Sequence, residues 1–148
     1  MDSHKYDALK IDNQLCFPLY ACSRAVIKQY KPYLDKLDLT YTQYVAMMVF
    51  WEQGSISVKE LGKRLFLDSG TLTPVLKSLE AKGFVRRSRS KEDERVVIAE
   101  LTDKGEALKE EAVTIPERMA GCLELSAEEA AQLYVLLYKI LDSLSAGE

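Results

Sequence analysis

Apolar residues recur three or four positions apart along the first half of the chain, and this spacing predicts four helices. The first lies within residues 9–34, and Pro32 with residues 35–38 marks its end. Two capping-box pairs start the next two helices: Thr40 with Gln43, running to the Gly54 turn, and Ser57 with Glu60, running to Leu65. The fourth helix ends near Lys82, because Gly83 suits a left-handed cap.

The spacing changes from helical to alternating after Gly83. FVRRSRS and RVVIAEL are short β-branched runs around the charged segment KEDE, which predicts a two-stranded hairpin with a polar tip. Thr102 caps a further helix that is interrupted near Pro116. Ser126 with Glu129 then starts a last helix with a continuous apolar stripe that another surface must cover: Leu133, Leu136, Leu137, Ile140, Leu141 and Leu144.

A short capped helix, a turn, a second helix and a hairpin follow one another in the order of a winged helix-turn-helix. The predicted fold class is therefore mostly α with a small β-wing. The fourth helix would read the major groove, with its candidate residues on the side away from the core. These are Ser69, Gly70, Thr71, Thr73, Pro74 and Lys77. A solvated helix face with no ligand explains the same residues, so both interpretations stay open at this point.

Composition and charge shift the balance toward DNA. The chain has 148 residues, 47% hydrophobic and 29% charged, with a net charge of −3, which argues against general nucleic-acid or membrane-surface binding. From Lys77 to Arg95, however, seven cations face four carboxylates. Arg86, Arg87 and Arg89 fall where a wing meets the phosphate backbone, and Arg95 beside the tip suits a narrow minor groove. An exposed charged loop is the alternative.

Several classes of protein are disfavoured by what the chain lacks. No segment is long and apolar enough to span a membrane, and the first residues do not form a signal peptide, which predicts a cytoplasmic protein without membrane attachment. Three cysteines do not suggest a secreted disulfide framework. A single histidine, His4, disfavours a zinc site and a histidine-based triad, so we expect neither metal nor cofactor.

The stretch LGKRLFLDSGTLTPVLKSLEAKGFVRRSRSKEDERVVIAELTDKG, with DER in the wing and LT-D-x-G after it, resembles the MarR family of dimeric winged-helix regulators. NQLCFPLYACSR, QYKPYLDKL and LTYTQY make it similar to the organic hydroperoxide resistance regulators of that family. The resemblance implies a homodimer and one domain over 1–148. Residues 9–37 and 102–148 would dimerise and residues 40–101 would bind DNA, with Asp93 orienting Arg95.

The resemblance also assigns a redox centre. Cys16 matches the sensing cysteine, Tyr30 and Tyr41 match two tyrosines that hydrogen-bond the reactive thiol, and Tyr20 would help form the pocket. A thiol reacts with peroxide as the thiolate, and with an ordinary pKa of ~8.5 only a few per cent is ionised at neutral pH, so donors are needed. Complete ionisation of the thiol would raise the reactive thiolate fraction, and with it the oxidation rate, at most about 30-fold. A sensor needs more than that, so the donors must also stabilise the oxygen that leaves the hydroperoxide.

The remaining features near these thiols have more than one interpretation. Pro18 either kinks the helix or lets it restart near Phe17 with Cys16 at its N-terminus, and a tolerated kink without chemical effect is equally open. Cys22 is predicted to be a packed small hydrophobe. Cys122, in a loop-like stretch before the last helix, matches the resolving cysteine of the two-cysteine sensors, with an inert loop thiol as the alternative.

These observations predict a DNA-binding repressor, not an enzyme, that binds a roughly palindromic operator. Organic hydroperoxide would oxidise Cys16, Cys122 of the other subunit or a small thiol would form a disulfide with it, and the operator would be released. Three alternatives remain. They are a MarR-type regulator that senses a phenolic ligand or another oxidant with Cys16 merely packed, a thiol peroxidase, and a protein-binding winged helix.

Overall fold

The computed structural model describes residues 4–146 and divides the chain into two compact units, Met1–Tyr41 and Thr42–Glu148. Residues 1–3 and 147–148 of the predicted domain lie outside the described range. The first unit contains two single 3₁₀ turns, helix α1 at Cys16–Leu34 and a third 3₁₀ turn at Asp35–Leu37. Asp38, in the left-handed region at φ 55°, then ends the helical path.

Helix α1 begins seven residues after the start of the predicted range, residues 9–34, and ends at the last residue of that range. It starts at Cys16, so Pro18 is its third residue, and the first N–H groups of a helix have no intrahelical acceptor. Pro18 therefore removes no hydrogen bond from α1. Of the two predicted arrangements, the structure has the helix that starts near Phe17 with Cys16 at its N-terminus, and not a helix kinked at Pro18. Of the two predicted end signals, Pro32 lies inside α1 and residues 35–38 mark the end, since the helix stops at Leu34.

Helix α2, Tyr41–Gln53, leads into the second unit. There the order is β1 Ser55–Ser57, α3 Val58–Leu65, α4 Ser69–Ala81, β2 Val85–Arg89, β3 Val97–Leu101, α5 Asp103–Ala107, α6 Lys109–Ala112, α7 Ile115–Cys122 and α8 Ala127–Ser145. Ser57 caps α3 by accepting a hydrogen bond from the Glu60 amide, as its capping pair predicts. The predicted order of helices and hairpin is confirmed.

The wing contains one strand more than predicted. The predicted hairpin is confirmed as β2 and β3, and a third antiparallel strand, β1, pairs with the other edge of β3. Ile56 of β1 pairs with Ala99 of β3, whose other partner is Arg87 of β2. Three residues are too few to show alternation, which is why the sequence does not reveal β1.

Helix α4 has a cap at each end. The Asp68 side chain accepts from the Thr71 amide at the start, and this bond lowers the pKa of the Asp68 carboxyl. At the end, Gly83 adopts φ 79°, and the Phe84 amide reaches back to the Leu79 carbonyl. The buried face packs into the core of the second unit, which consists mainly of Met47, Phe50, Leu61, Leu72, Leu76, Leu79 and Val85.

The C-terminal part is three short helices followed by one long helix. Pro116 lies in the first turn of α7, which accounts for the predicted interruption there. The capping box of Ser126 and Glu129 at the start of α8 is confirmed, since each side chain bonds the other residue's amide. The apolar stripe of α8 stays largely exposed in this single chain, with Leu133, Leu136, Ile140 and Leu144 uncovered.

Candidate redox centre and nucleic-acid interface

Cys16 is the first residue of α1, and its thiol is exposed. Tyr20 and Arg24 follow at intervals of four residues, so the three side chains form a column along one helix face. The Arg24 guanidinium lies 5.4 Å from the centroid of the Tyr20 ring, and its Nη1 donates to the Tyr20 hydroxyl at 3.4 Å. An open groove runs beside this column, lined by Phe17, Tyr20, Ala21, Arg24, Ala25 and Lys28.

Tyr30 and Tyr41 form a second group in the same unit. Their ring centroids are 4.9 Å apart with the planes inclined by 59°, and both side chains are half-buried. Burial raises the pKa of Tyr30, with a smaller contribution from Tyr41, and burial also raises the pKa of Tyr41. Both phenols therefore keep their protons at neutral pH and can donate hydrogen bonds.

The two groups do not meet within one chain. Cys16 and Tyr30 are fourteen residues apart on the same straight helix, which separates them by about 21 Å along its axis. Neither side chain can cross that distance. The structure thus brings Tyr30 and Tyr41 together, but it does not bring either tyrosine to the Cys16 of the same chain.

The other two thiols are also placed differently from the prediction. Cys22 is exposed in the single chain, so the predicted packing of its side chain is not provided by its own protomer. Cys122 ends helix α7 and does not lie in a loop, and its thiol donates to the Arg118 carbonyl at 3.4 Å. The exposed Cys122 belongs to the second unit, whereas Cys16 and Cys22 belong to the first.

The candidate groove-reading residues lie along the first turns of α4. Ser69, Gly70, Pro74 and Lys77 are exposed, and Lys77 makes no ion pair within residues 4–146. Thr71 is held by the Asp68 cap, and the Thr73 hydroxyl donates to the Ser69 carbonyl at 2.7 Å. The hydroxyl oxygen of Thr73 keeps its lone pairs for an external donor.

At the tip of the wing, Asp93 and Arg95 form the ion pair that the resemblance implies. Arg95 Nε and Nη2 donate to the two carboxylate oxygens of Asp93 at 3.0 and 3.2 Å, and the Arg95 amide donates to the same group. The Arg95 side-chain bonds lower the pKa of Asp93, so the carboxylate remains charged at neutral pH. Although it is held, the Arg95 side chain is 89% exposed.

The arginines on β2 all have partners within the chain. Arg86 pairs with Glu100 at 3.4 Å, Arg87 with Glu80 at 2.6 Å, and Arg89 donates to the Glu94 carbonyl at 3.1 Å. The sequence reasoning missed Glu80 and Gln43. Gln43 is buried. Its side chain donates to the hydroxyl of Ser78, which lies in α4, and accepts from Lys82, the residue that follows α4. A capping motif was the only sequence signal at Gln43.

Two further observations concern the described part of the chain. Within residues 4–146, no three acidic, histidine or cysteine side chains come together in a group suited to a metal ion. None of the helices described is both long and apolar enough to cross a membrane.

Comparison with known proteins agrees with this geometry. The transcriptional regulator SarA/Rot family matches residues 28–112. The organic hydroperoxide resistance transcriptional regulator of Bacillus subtilis (strain 168) is 51% identical over 141 residues, covering 95% of this chain and 96% of that protein.

Solved structures extend the match to the fold. Reduced AbfR bound to DNA superimposes with a TM-score of 0.79 at 32% identity, covering 96% of this chain and 97% of that one. Disulfide-formed AbfR superimposes with a TM-score of 0.66 at 35% identity, covering 97% and 98%. The chain belongs to the MarR-type winged-helix transcriptional regulators, among the relatives of the organic hydroperoxide resistance regulators.

Proposed function

We propose that this protein is a DNA-binding repressor that releases its operator when an organic hydroperoxide oxidises Cys16. The observation that carries the proposal is an exposed cysteine at the first residue of α1, in a chain 51% identical to an organic hydroperoxide resistance regulator. The protein works in the cytoplasm as a single-domain protomer over residues 1–148. It is not an enzyme, because one oxidation event per protomer is enough for a sensor.

The active form is a homodimer. Tyr30 cannot reach the Cys16 of its own chain, so the hydroxyls that activate each thiol come from the other copy. The exposed leucines of α8 supply the apolar surface that holds the two copies together. Tyr20, one turn from Cys16 and bonded to Arg24, forms the near wall of each pocket.

The chemistry is a two-electron oxidation of sulfur. The Cys16 thiolate attacks the terminal oxygen of the hydroperoxide, the O–O bond breaks, and the alkoxide leaves as an alcohol after gaining a proton. The product is a sulfenic acid. The thiol of the other subunit's Cys122 then displaces water to form an S–S bond, and a small cellular thiol can do the same to give a mixed disulfide.

Binding of DNA uses both parts of the winged helix. The residues Ser69, Gly70, Thr71, Thr73, Pro74 and Lys77 enter the major groove of a roughly palindromic operator, and Arg95, held by Asp93, enters the minor groove. Arg86 and Arg89 lie along the phosphate backbone. To change occupancy from 99:1 to 1:99, oxidation must weaken binding by about 10⁴-fold, or about 5.5 kcal/mol. Loss of fit to several phosphates and bases is sufficient for that.

The test is fluorescence anisotropy of a labelled duplex taken from the region upstream of the protein's own gene. We expect the reduced protein to retain the duplex and about one equivalent of organic hydroperoxide per protomer to release it. Cys16→Ser should retain the duplex after peroxide. Cys22→Ser, which removes another exposed thiol of the same helix, should respond as the wild type does. If peroxide does not change binding of the duplex, the result would favour a regulator that responds to another signal, such as a phenolic ligand.

The role of Cys122 needs a separate experiment. After peroxide treatment, a nonreducing gel of the wild-type protein should show a covalent dimer, and Cys122→Ser should show only monomer. Mass spectrometry should then find Cys16 joined to Cys122. A wild-type protein that stays monomeric on the gel while Cys16 is oxidised would exclude Cys122 and leave the small thiol as the resolving group.

A further inference from the structure

Strand β2 carries arginines on both faces of the wing, and the faces are not equivalent. Side chains alternate along a strand, so Arg87 lies on the same face as the buried Val85, and Arg86 lies on the opposite face. Arg87 is paired in register with Ala99, a fully buried small residue that leaves room on this face. Arg87 therefore emerges toward the core side of the sheet, where the helices of the second unit pack.

On that side, Arg87 meets the end of the recognition helix. Its Nε lies 2.6 Å from Oε2 of Glu80, which is in the last turn of α4. The Arg87 side chain is 28% exposed, against 89% for Arg95. The pair thus offsets the charge of Arg87 and directs its Nε toward the end of α4.

The ion pair between Glu80 and Arg87 joins helix α4 to strand β2, which are linked by a short turn. Helix α4 ends at Ala81, Gly83 takes φ 79°, and β2 begins at Val85. The Gly83 amide donates to the Glu80 carbonyl at 2.9 Å, and the Gly83 carbonyl accepts from the Thr102 hydroxyl at 2.6 Å, so backbone and side-chain hydrogen bonds already hold the turn between α4 and β2. Glu80 lies three residues before this glycine and Arg87 four residues after it, so their ion pair adds a side-chain connection between the end of α4 and β2.

We propose that Arg87 is a positioning residue: through Glu80 it fixes the angle between recognition helix α4 and the wing, and it does not itself bind a phosphate. The role rests on the proposed DNA-binding function. It replaces the sequence-based assignment of Arg87 to the phosphate backbone, whereas Arg86, on the outer face, and Arg95, at the tip, keep theirs.

The experiment measures binding of the labelled upstream duplex at several salt concentrations for Glu80→Gln, Arg87→Gln and the double variant. If Glu80 were an unconnected carboxylate near DNA, its removal would lessen repulsion and tighten binding. If Glu80 instead positions the wing through Arg87, Glu80→Gln should weaken binding of the duplex about threefold, which corresponds to the free energy of a surface ion pair. We expect Arg87→Gln to weaken binding to the same extent, and the double variant to bind no worse than either single one.

The salt dependence separates positioning from phosphate contact. Loss of one phosphate contact would lower the slope of log affinity against log salt by about 0.9, and we expect the slope for Arg87→Gln to stay that of the wild type. The exchanged pair Glu80→Arg with Arg87→Glu should recover wild-type affinity. As a matched control, Glu100→Gln removes the partner of Arg86 on the outer face and should not weaken binding.

Three outcomes would overturn the positioning role while leaving the proposed function intact: tighter or unchanged binding by Glu80→Gln, additive losses in the double variant, or a lower slope for Arg87→Gln. A wild-type protein that does not bind the duplex at low salt would refute the proposed function, and the role of Arg87 with it. Circular dichroism and urea unfolding of each variant establish that the comparison is between folded proteins.

Discussion

At the scale of single residues, the tyrosine pair has the clearest chemical consequence. The rings of Tyr30 and Tyr41 contact each other, and burial raises the pKa of both phenols. A phenol that holds its proton can donate to a thiolate and then to the oxygen leaving the peroxide, which a buried carboxylate could not do. The proposed sensor thus relies on neutral donors where many thiol enzymes use a histidine.

Replacing either hydroxyl should slow oxidation without harming the repressor. We expect Tyr30→Phe and Tyr41→Phe each to lower the rate constant for Cys16 oxidation by organic hydroperoxide at least about tenfold, because a donor to the transition state is lost. Affinity for the duplex in the reduced state should not change. Stopped-flow kinetics gives the rate, and Tyr6→Phe, an exposed tyrosine near the N-terminus, serves as the control. Equal rates in all variants would contradict the donor role.

The same pair predicts a dependence of stability on alkaline pH. A raised pKa means that the folded state binds the proton more tightly than the unfolded chain, so the unfolded chain ionises first as pH rises. The stabilisation is present below the ordinary phenol pKa of 10.0 and is lost as pH rises through the folded-state values. Urea unfolding should therefore show a steeper loss above pH 10.0 in the wild type than in the double Phe variant. Identical pH profiles would contradict the shift.

At the scale of elements, Gly105 holds the junction between the wing and the C-terminal helices. The Trp51 indole donates to its carbonyl at 2.8 Å, and its amide donates to the Thr102 cap. A methyl group at this position would overlap the Phe84 carbonyl oxygen and come within 2.7 Å of Leu101 Cδ1. The glycine of the LT-D-x-G motif is thus required by packing, and not by its backbone angles.

Substituting two glycines should therefore have opposite effects. Gly105→Ala should lower the free energy of unfolding by about 2 kcal/mol or more, because the clash involves backbone that cannot move freely. Gly121→Ala, in α7 with nothing near its Cβ position, should raise it by about 0.5–1 kcal/mol through the better helix propensity of alanine. Urea unfolding measures both, and a destabilisation of equal size at the two positions would refute the packing argument.

Local signals explain which elements the sequence predicts well. The helix starts at Ser57 and Ser126 and the end of α4 at Gly83 follow from hydrogen bonds within a few residues, so capping patterns find them. Strand β1 and the partners of Arg87 and Gln43 depend on residues more than five positions away. No spacing within one segment encodes them.

At the scale of the whole molecule, the apolar stripe of α8 implies a partner. Nothing in α8 is buried, and Leu136 is 56% exposed in the single chain. The sequence predicts this surface, and the resemblance supplies the residues of the proposed redox centre. Cys16 and Tyr30 both fall in the helix predicted over residues 9–34, and the structure adds that α1 is continuous between them, which fixes their separation within one protomer.

A charge on the stripe should separate the two copies. Leu136→Glu should weaken the dimer at least a hundredfold, since an unpaired carboxylate cannot be buried without a cost of about 3 kcal/mol. Val135→Glu introduces the same carboxylate on the opposite side of α8, at a residue 64% exposed, and should leave the dimer intact. Sedimentation velocity distinguishes the two. A Leu136→Glu protein that stays dimeric would place the interface elsewhere.

The most direct test of redox control follows the anisotropy of the labelled duplex and the oxidation of Cys16 in the same sample, as hydroperoxide is added in fractions of an equivalent. We expect duplex release to follow the fraction of oxidised Cys16, measured by mass spectrometry, and dithiothreitol to restore binding. Complete release while Cys16 is still reduced, or complete oxidation with the duplex still bound, would contradict control of the operator by Cys16.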